Sequence, residues 1–433
     1  MRWLYSGILY LITPLVLLRL LVRGAKAPDY LKRWAERFAI YRGDITEGVI
    51  WFHAVSVGEA EAVFPLVRAI REAFPERPVL ITTTTPTGSG RVTAVFGDSA
   101  QHVYLPYDLP GCIERFLGRF RPVLAVIMET EIWPNLFRGC GRRGIPLVIV
   151  NARLSVKSAR GYGKLRAFTR DVLADVALIA AQTEADAQRF REIGALPESV
   201  RVTGNIKFDL QLPDDLPEQA RTLRDNFFGG RPVWICASTH EGEEELLLNV
   251  FSQVRETCPR LLLVLVPRHP ERFGRVAALC RNRGFAPVLH SEHKPCDAGT
   301  DIFLVDAMGV LRLYLAASDV AFVGGSLVPT GGHNILEPAA VGVPVLFGPH
   351  MFNFEKIAQQ LMEAGAARQR ADMKGLAEDL TRILTHRDVR EDMGRKGREF
   401  VAGNRGALAG VVRRPSPPRR GSGGARSRRA AES

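Results

Sequence analysis

Several acidic side chains in this sequence lie within a few residues of the ends of apolar runs, where they could move a proton. Glu59 follows the run at 49–54, and Glu129 and Glu131 follow the run at 123–128. In an open parallel sheet, ligands bind outside the carboxyl ends of the strands. A carboxylate placed there can accept a proton from a hydroxyl nucleophile, which makes Glu59 a candidate general base. Alternatively, Glu59 is an acid placed favourably on the dipole of the helix that it opens.

Two further segments of the first half are candidates for ligand contact. Residues 82–90 are small and rich in hydroxyl groups, so their backbone can approach a polar ligand or an anion. Thr87 or Ser89 would serve equally well as a helix cap. Lys207, in the segment 204–209, is either a partner for a substrate carboxylate or phosphate, or one more surface cation.

The second half of the chain has polar or glycine-rich segments after four apolar runs. Arg268, which follows Pro267, offers a planar guanidinium fork for a phosphate. Glycines at 324–325 and 331–332 let backbone N–H groups approach an anion. Glu337 opens a predicted helix, where its carboxylate is placed to bind ribose hydroxyls. Each segment alone could be a turn or a cap, but four of them favour a nucleotide site.

Short apolar runs alternate with helical stretches along the chain, a pattern typical of βα units and a mostly parallel sheet. A segment at 211–217 with two prolines and two acids interrupts the pattern, and we interpret it as an interdomain linker. The predicted fold is α/β, with two Rossmann-like doubly wound domains and closing helices at 354–398. The predicted strands are 49–54, 79–84, 103–105, 123–128, 147–150 and 178–181, then 233–237, 261–266, 287–289, 302–305, 320–323 and 343–347.

The two ends of the chain differ from the rest. Residues 3–22 are almost continuously apolar and long enough to cross about 30 Å of hydrocarbon. We expect an uncleaved anchor or membrane-embedded helix; a cleaved signal peptide and a buried core helix are the alternatives. Only Arg2 precedes the run, so the positive-inside rule places the rest of the chain in the cytoplasm. The tail at 413–433 has seven arginines and one acid, half of the net charge of +12, and is predicted to be disordered.

Charge and cysteine content narrow the classes of function. The remainder of the chain is mildly basic, which suits an anionic membrane surface or substrate. No basic motif interleaved with aromatic residues indicates nucleic-acid binding. The six cysteines include no CxxC pair, so we expect free thiols. His290, His293 and Cys296 are closely spaced but lack a fourth ligand, and we predict no metal site there.

Taken together, the motifs resemble those of the Kdo transferases. These are membrane-anchored glycosyltransferases of the GT-B type that move 3-deoxy-D-manno-octulosonic acid (Kdo) from CMP-Kdo to lipid A precursors. The resemblance spans residues 1–405; it departs from the family at Val310, where an acidic residue often stands, and in the tail after Gly410. The matching segments are 53–59, 84–89, 104–108, 128–135, 151–155, 204–209, 267–272 and 332–338.

The resemblance implies that Glu59 is the general base and that Glu129 and Lys207 stabilise the transition state. We expect an inverting, metal-independent transfer without a cofactor, from CMP-Kdo to lipid IVA at the inner membrane. The expected domains are an anchor (1–24), an acceptor and catalytic domain (25–210), a linker (211–228), a CMP-sugar domain (229–410) and a basic tail (411–433). Contacts to CMP are implied at Pro267, Arg268, Met308, Gly309, Val310, Asn334, Ile335, Leu336 and Glu337.

Other functions are compatible with the same architecture, because two Rossmann-like domains fix neither the nucleotide nor the reaction. Within enzymes, the alternatives are a sugar-nucleotide epimerase and a transferase that uses UDP-sugars. Outside enzymes, the alternative is a membrane-anchored nucleotide-binding or scaffold protein without turnover. A candidate base beside a ligand crevice argues against that last alternative, since binding alone does not require a base.

Overall fold

A computed structural model describes residues 1–43 and 46–412 of the chain. The chain divides into two compact units. The first comprises Met1–Ala60, Leu66–Thr203 and the described residues from Leu408 onward, and the second comprises Glu61–Pro65 and Gly204–Ala407. The domain boundaries drawn from the sequence stay a prediction. The arginine-rich tail at 413–433, predicted to be disordered, lies outside the described residues.

Each unit contains one seven-stranded parallel sheet with helices between its strands. As far as Val202, the strands are β1 (Ile50–His53), β2 (Val79–Thr83), β3 (Gln101–Tyr104), β4 (Leu124–Met128), β5 (Leu147–Ala152), β6 (Leu178–Ala181) and β7 (Val200–Val202). The helices of this part are α1 (Arg2–Lys26), α2 (Val57–Ala73), α3 (Pro86–Phe96), α4 (Pro110–Phe120), α5 (Pro134–Arg142), α6 (Val156–Gly163), α7 (Arg166–Leu173) and α8 (Glu184–Glu192).

The later part of the chain repeats the pattern. Its strands are β8 (Val233–Thr239), β9 (Leu262–Pro267), β10 (Pro287–Leu289), β11 (Ile302–Leu304), β12 (Val320–Val323), β13 (Val345–Phe347) and β14 (Ala367–Gln369). Its helices are α9 (Leu216–Leu223), α10 (Glu243–Thr257), α11 (Phe273–Asn282), α12 (Leu311–Ala316), α13 (Leu336–Ala340), α14 (Glu355–Glu363), α15 (Met373–Thr385), α16 (Arg387–Gly403) and α17 (Ala407–Val412).

The order of the strands creates one crevice in each sheet. The first sheet has the order β3-β2-β1-β4-β5-β6-β7, so its winding reverses between β1 and β4. The second has the order β10-β11-β9-β8-β12-β13-β14 and reverses between β8 and β12. Ligands of open α/β sheets bind outside the carboxyl ends of the strands at such a reversal. Each unit therefore has one expected binding edge.

Alternate residues of the central strands are buried on opposite faces of the second sheet. Trp234 and Cys236 of β8 pack with helices α10, α11 and α15, whereas Val233 and Ile235 pack with α9 and α12. A strand that is covered on both faces is a continuous apolar run in the sequence, which is why β8 could be predicted. The predicted doubly wound α/β fold is confirmed.

Two strands were missed by the sequence prediction. β7 has three residues, of which only Val200 is buried, so no apolar run announces it. β14 lies inside the stretch 354–398, which we predicted to be entirely helical; it is a three-residue edge strand between α14 and α15. Very short edge strands carry too little periodicity to be recognised.

The predicted apolar segment at the start of the chain forms α1, a helix of 25 residues with Pro14 in its interior. Its stretch Arg2–Ala25 is long and apolar enough to cross a membrane.

Candidate active site

Three glutamates gather at the reversal point of the first sheet. Glu59 lies in the first turn of α2, which follows β1, and Glu129 and Glu131 follow β4. Burial, and then the negative charges of Glu59 and Glu129, raise the pKa of Glu131 to about 7. This electrostatic interaction shows that the three side chains share one environment, at the edge where a ligand is expected.

The Glu59 carboxylate is oriented by the start of its own helix. Ser56 is the N-cap of α2, and its Oγ accepts a hydrogen bond from the Glu59 N–H at 3.3 Å. The Ser56 hydroxyl donates to Glu59 Oε1 at 3.1 Å, and the Val55 N–H donates to Oε2 at 2.9 Å. This pattern is a variant of the capping box. The helix-terminal role considered for Glu59 is therefore present, and it holds the carboxylate at the carboxyl end of β1.

The backbone just after β4 and near the end of β5 is strained at this edge. Glu129 has a φ of 57° and Asn151 a φ of 54°, in the left-handed region that residues with a Cβ rarely adopt. The Glu129 N–H donates to the Val150 carbonyl at 2.9 Å, which fixes the turn. Such conformations cost about 1–3 kcal/mol each and cluster at functional sites. Two adjacent strands thus present strained polar residues at the same edge of the sheet.

The hydroxyl-rich segment after β2 contributes to the fold. Thr85 is the N-cap of α3, since its Oγ1 accepts a hydrogen bond from the Gly88 N–H at 3.1 Å. The caps considered from the sequence, Thr87 and Ser89, were therefore wrong. Ser89 Oγ instead accepts a hydrogen bond from the Arg33 guanidinium at 3.2 Å. Thr85 precedes Pro86, which is favourable at the first position of a helix, and this signal would have found the cap.

In the second unit, the glycine-rich turn after β12 is built around a buried carboxylate. Glu243, the first residue of α10, is completely buried. Its Oε2 accepts a hydrogen bond from the Gly325 N–H at 2.7 Å, and its Oε1 accepts from Ser326 at 3.0 Å and Leu327 at 2.9 Å. We expected these N–H groups to approach an anionic ligand. They bind the protein's own glutamate, so that expectation was wrong.

Two arginines after β9 have different surroundings. The Arg272 guanidinium donates to both carboxylate oxygens of Glu244, at 2.7 and 2.9 Å; Glu244 is buried and Arg272 is half-buried. Arg268 is half-buried, and within the described residues its guanidinium makes no hydrogen bond or ion pair. Its charge contributes to lowering the pKa of His333, so it lies near that ring. An arginine with unengaged donors suits an anionic ligand.

Two histidines face each other at the same edge. Nε2 of His240, after β8, and Nε2 of His333 are 2.7 Å apart, and the rings lie within 9° of coplanar. One nitrogen must donate and the other accept, so a single proton lies between them. Burial, followed by the charge of Arg268, lowers the pKa of His333 to about 3. The pair is therefore neutral near pH 7. His240 and Glu243 were not among the residues that the sequence singled out.

The remaining residues implied for CMP lie at the carboxyl ends of β9 and β11 and at the start of α13. Pro267 is buried, whereas Met308 and Gly309 are exposed. Val310, at the start of α12, is half-buried against a hydrophobic core. Asn334 Oδ1 accepts a hydrogen bond from the Leu336 N–H at 3.0 Å. The side chains of Ile335 and Leu336 are completely buried, so only their backbones are available to a nucleotide.

The two remaining charged candidates have partners in the second unit. Glu337 Oε1 accepts a hydrogen bond from Arg312 Nε at 2.9 Å. Lys207, which groups with this unit, has its ammonium 5.2 Å from the centre of the Phe354 ring, a cation–π distance. Across the part of the chain that the structure describes, no group of three or more His, Cys, Asp or Glu residues is arranged to hold a metal ion.

The two parallel-sheet units have the GT-B type of fold. A solved structure of a UDP-GlcNAc 2-epimerase from Neisseria meningitidis bound to UDP-GlcNAc covers 84% of this chain and 98% of its own, with a TM-score of 0.52 and 14% identity. At that identity, the likeness shows the fold alone.

Sequence similarity identifies the family. The family model for 3-deoxy-D-manno-octulosonic-acid transferase (kdotransferase) matches residues 32–210. The 3-deoxy-D-manno-octulosonic acid transferase of Haemophilus influenzae is 43% identical over 412 residues, which are 94% of this chain and 96% of the relative. That of Bordetella pertussis is 38% identical over 370 residues, covering 83% and 84%. This chain belongs to the Kdo transferase family of glycosyltransferases, as its motifs predicted.

Proposed function

We propose that this protein transfers Kdo from CMP-Kdo to a hydroxyl group of a lipid A precursor, lipid IVA, with inversion at the anomeric carbon. Glu59 takes the hydroxyl proton as the acceptor oxygen forms its bond to that carbon. The bond from the anomeric carbon to the CMP phosphate breaks, and its electron pair goes to the phosphate. The proposal is carried by the cluster of Glu59, Glu129 and Glu131 at the reversal point of the first sheet.

The carboxylate cluster supports this assignment through its protonation states. Because its pKa is raised to about 7, Glu131 holds a proton over much of the neutral range. A neutral Glu131 adds no second negative charge beside Glu59, which is the proton acceptor in this proposal, as in other sites where two carboxyls have separate roles. The donors on Ser56 and Val55 orient the Glu59 carboxylate. In this proposal, the charge of Glu129 stabilises the positive charge that develops at the anomeric carbon.

The donor is assigned to the second unit. Arg268, whose guanidinium is unengaged within the described residues, would bind the CMP phosphate and meet the charge that develops on it. The backbones of 308–310 and 334–336 would contact the nucleotide, and Glu337 would bind the ribose hydroxyls. Lys207 would pair with the Kdo carboxylate and stabilise the transition state. No metal ion takes part in the proposed step.

The acylated acceptor stays in the bilayer, so we place the protein at the cytoplasmic face of the inner membrane. Helix α1 supplies apolar surface, and the exposed basic residues Arg23, Lys32 and Arg42 would be attracted to anionic headgroups, each contributing about 1 kcal/mol near the surface. Replacing several of these cations is expected to weaken membrane association and its dependence on salt concentration.

Mass spectrometry of the lipid product tests the reaction. The detergent-solubilised protein is incubated with CMP-Kdo, generated in place, and tetraacylated lipid A precursor. We expect one or more added Kdo masses, no product with Glu59→Gln, and normal product with Glu72→Gln, an exposed control on the same helix. Most of the activity surviving in Glu59→Gln would remove Glu59 from the base role. A wild-type protein that binds CMP without forming product would point to another acceptor or to a binding protein.

Competition between nucleotides distinguishes the proposed CMP-sugar donor from the alternative, a UDP-sugar donor. Our proposal predicts that CMP, and not UDP, displaces a fluorescent cytidine nucleotide from the purified protein. The similarity to a UDP-GlcNAc 2-epimerase does not favour the alternative, because at 14% identity it concerns the fold.

A further inference from the structure

We infer that helix α1 lies in the plane of the membrane, within one leaflet, and does not cross it. The inference rests on the proposed location at the cytoplasmic face of the inner membrane and adds the orientation of the helix. It follows from the contacts at the two ends of α1, both of which are made with the first unit.

The first turns of α1 are part of the folded first unit. The Tyr5 hydroxyl donates to Asp108 Oδ2 at 3.0 Å, and the Ser6 hydroxyl donates to Asn135 Oδ1 at 3.1 Å. Ser6 is buried, and Leu9, one turn later, packs against the hydrophobic core of this unit. Asp108 is itself fixed, because its carboxylate accepts hydrogen bonds from the first N–H groups of α5.

The chain returns to the same unit shortly after α1 ends. Arg33, seven residues after Lys26, donates to the His102 carbonyl at 2.7 Å. Three residues further on, Glu36 Oε2 accepts a hydrogen bond from the Tyr104 N–H at 2.9 Å. His102 and Tyr104 belong to β3, only a few residues before the Asp108 that holds the start of the helix. The start of α1 and the segment just after its end are thus attached to one region of the first unit.

A membrane-spanning α1 is incompatible with these attachments. Crossing the bilayer would separate Tyr5 from Lys26 by about 30 Å of hydrocarbon. The seven residues from Lys26 to Arg33 reach at most about 25 Å when fully extended, which is too short to cross back. They are not fully extended, since Pro28–Leu31 forms a 3-10 turn and Leu31 packs closely on Gly24. Both ends of α1 therefore lie on the same side of the membrane.

The two faces of α1 differ in exposure. The buried and half-buried residues lie along one side of the helix: Arg2, Tyr5, Ser6, Leu9, Thr13, Val16, Leu17, Leu20 and Gly24. The opposite face is exposed and entirely aliphatic: Leu4, Ile8, Leu11, Leu15, Leu18 and Val22, with exposures of 49–78%.

The occupant of the exposed face is one leaflet of an anionic phospholipid bilayer. The exposed aromatic rings of Trp3 and Tyr10 suit the boundary between headgroups and acyl chains. The exposed Arg19 and Arg23 add positive charge for anionic headgroups. This aliphatic stripe spans about five turns. It offers apolar surface to the acyl chains, while the aromatic and cationic residues beside it suit the headgroup region.

Cysteine accessibility in membranes tests the orientation. The full chain carries Arg2→Cys or Ala25→Cys, one at each end of α1, or Arg387→Cys, an exposed reporter in the second unit. In all three variants the half-buried Cys258 and Cys296 are replaced by serine. A membrane-impermeant maleimide is applied to spheroplasts, to inverted vesicles and to detergent extracts. Reaction in detergent shows that each introduced thiol is reactive, so a missing signal in membranes is informative.

We expect Arg2→Cys and Ala25→Cys to react from the same side as Arg387→Cys, in the inverted vesicles. A spanning helix would give a different pattern: Arg2→Cys would react in spheroplasts, and Ala25→Cys and Arg387→Cys would react in inverted vesicles. That result would overturn the inference. Reaction of all three in spheroplasts would keep the in-plane helix but show that the proposed cytoplasmic location is wrong. The two failures are thereby distinguished.

Discussion

The carboxylate of Glu243 accepts a hydrogen bond from the backbone N–H of Gly325 at 2.7 Å, which joins the start of α10 to the turn after β12. Two more N–H groups of the same turn donate to this carboxylate. Successive N–H groups that converge in this way form a site for an anion. Here a buried side chain occupies it, so the shape of the turn is set before any ligand binds.

Replacing Glu243 should disturb both this turn and donor binding. In Glu243→Gln, the amide NH₂ group would face backbone donors, and leaving one buried N–H unsatisfied costs about 1–3 kcal/mol of stability. We expect a lower free energy of unfolding in urea and weaker CMP binding by calorimetry. The control is Glu245→Gln, an exposed residue of the same first turn. Equal stability of the two variants would show that the carboxylate does not hold the turn.

Arg268 and Arg272 should have separable roles. Arg268→Gln removes a proposed phosphate ligand, and because a hydrogen bond to a charged group contributes about 1.5–3 kcal/mol, CMP affinity should fall at least about tenfold with little change in stability. Arg272→Gln leaves Glu244 as an unpaired buried charge, which costs about 3–5 kcal/mol of stability. Calorimetric titration with CMP and urea unfolding measure the two effects. A reversed pattern would assign the phosphate to Arg272.

The raised pKa of Glu131 predicts a pH-dependent stability. The pKa of Glu131 is about 7 in the folded protein and 4.5 in the unfolded chain, so the folded protein binds this proton more tightly. The stability that the bound proton contributes is complete below pH 4.5 and is lost as the pH rises through about 7. Glu131→Gln should therefore be more stable than the wild type at pH 8, by on the order of 2 kcal/mol, and the difference should shrink at pH 5.

Urea unfolding at both pH values measures this difference. Glu76→Gln, whose side chain is 66% exposed, is the control and should show no such change. A Glu131→Gln variant that is less stable than the wild type at pH 8 would mean that the carboxylate is held by favourable contacts and not by repulsion.

The hydrogen bond between His240 and His333 should appear as coupling in a double-mutant cycle. Each single change to alanine leaves the partner nitrogen unpaired, whereas the double variant removes both groups. The losses of unfolding free energy should therefore be non-additive by more than about 0.5 kcal/mol. His240→Ala combined with His386→Ala, an exposed residue of the second unit, should be additive. Additivity in the first cycle would contradict the hydrogen bond.

The sequence located the strands that are buried on both faces, because such strands are continuous apolar runs. The predicted strands at 178–181 and 320–323, which are buried throughout, match the structure residue for residue, and so does the half-buried edge strand at 287–289. Glu129 could also be found, since an acid directly after a buried run departs from the local pattern, and Glu59 could be found from its place at the start of the helix after β1.

Glu243 could not be found in this way. It stands in the acidic run 243–245, which reads as the exposed first turn of a helix. Its burial depends on the turn at 325–327, more than eighty residues later, and only the folded sheet brings the two together. Likewise, Arg272 differs from Arg268 because it forms an ion pair with Glu244, which lies in α10. Contacts between side chains that are far apart in the sequence form only in the tertiary structure, so local sequence patterns do not predict them.

The hydrogen bonds of α1 join positions that are 103 and 129 residues apart in the chain. At a synthesis rate of about 5–20 residues per second, the helix leaves the ribosome several seconds before Asp108 and Asn135 have been made. During that interval, neither face of α1 has a protein partner. We expect the nascent helix to reach lipid first, so that the first sheet is completed on a chain that is already held at the membrane.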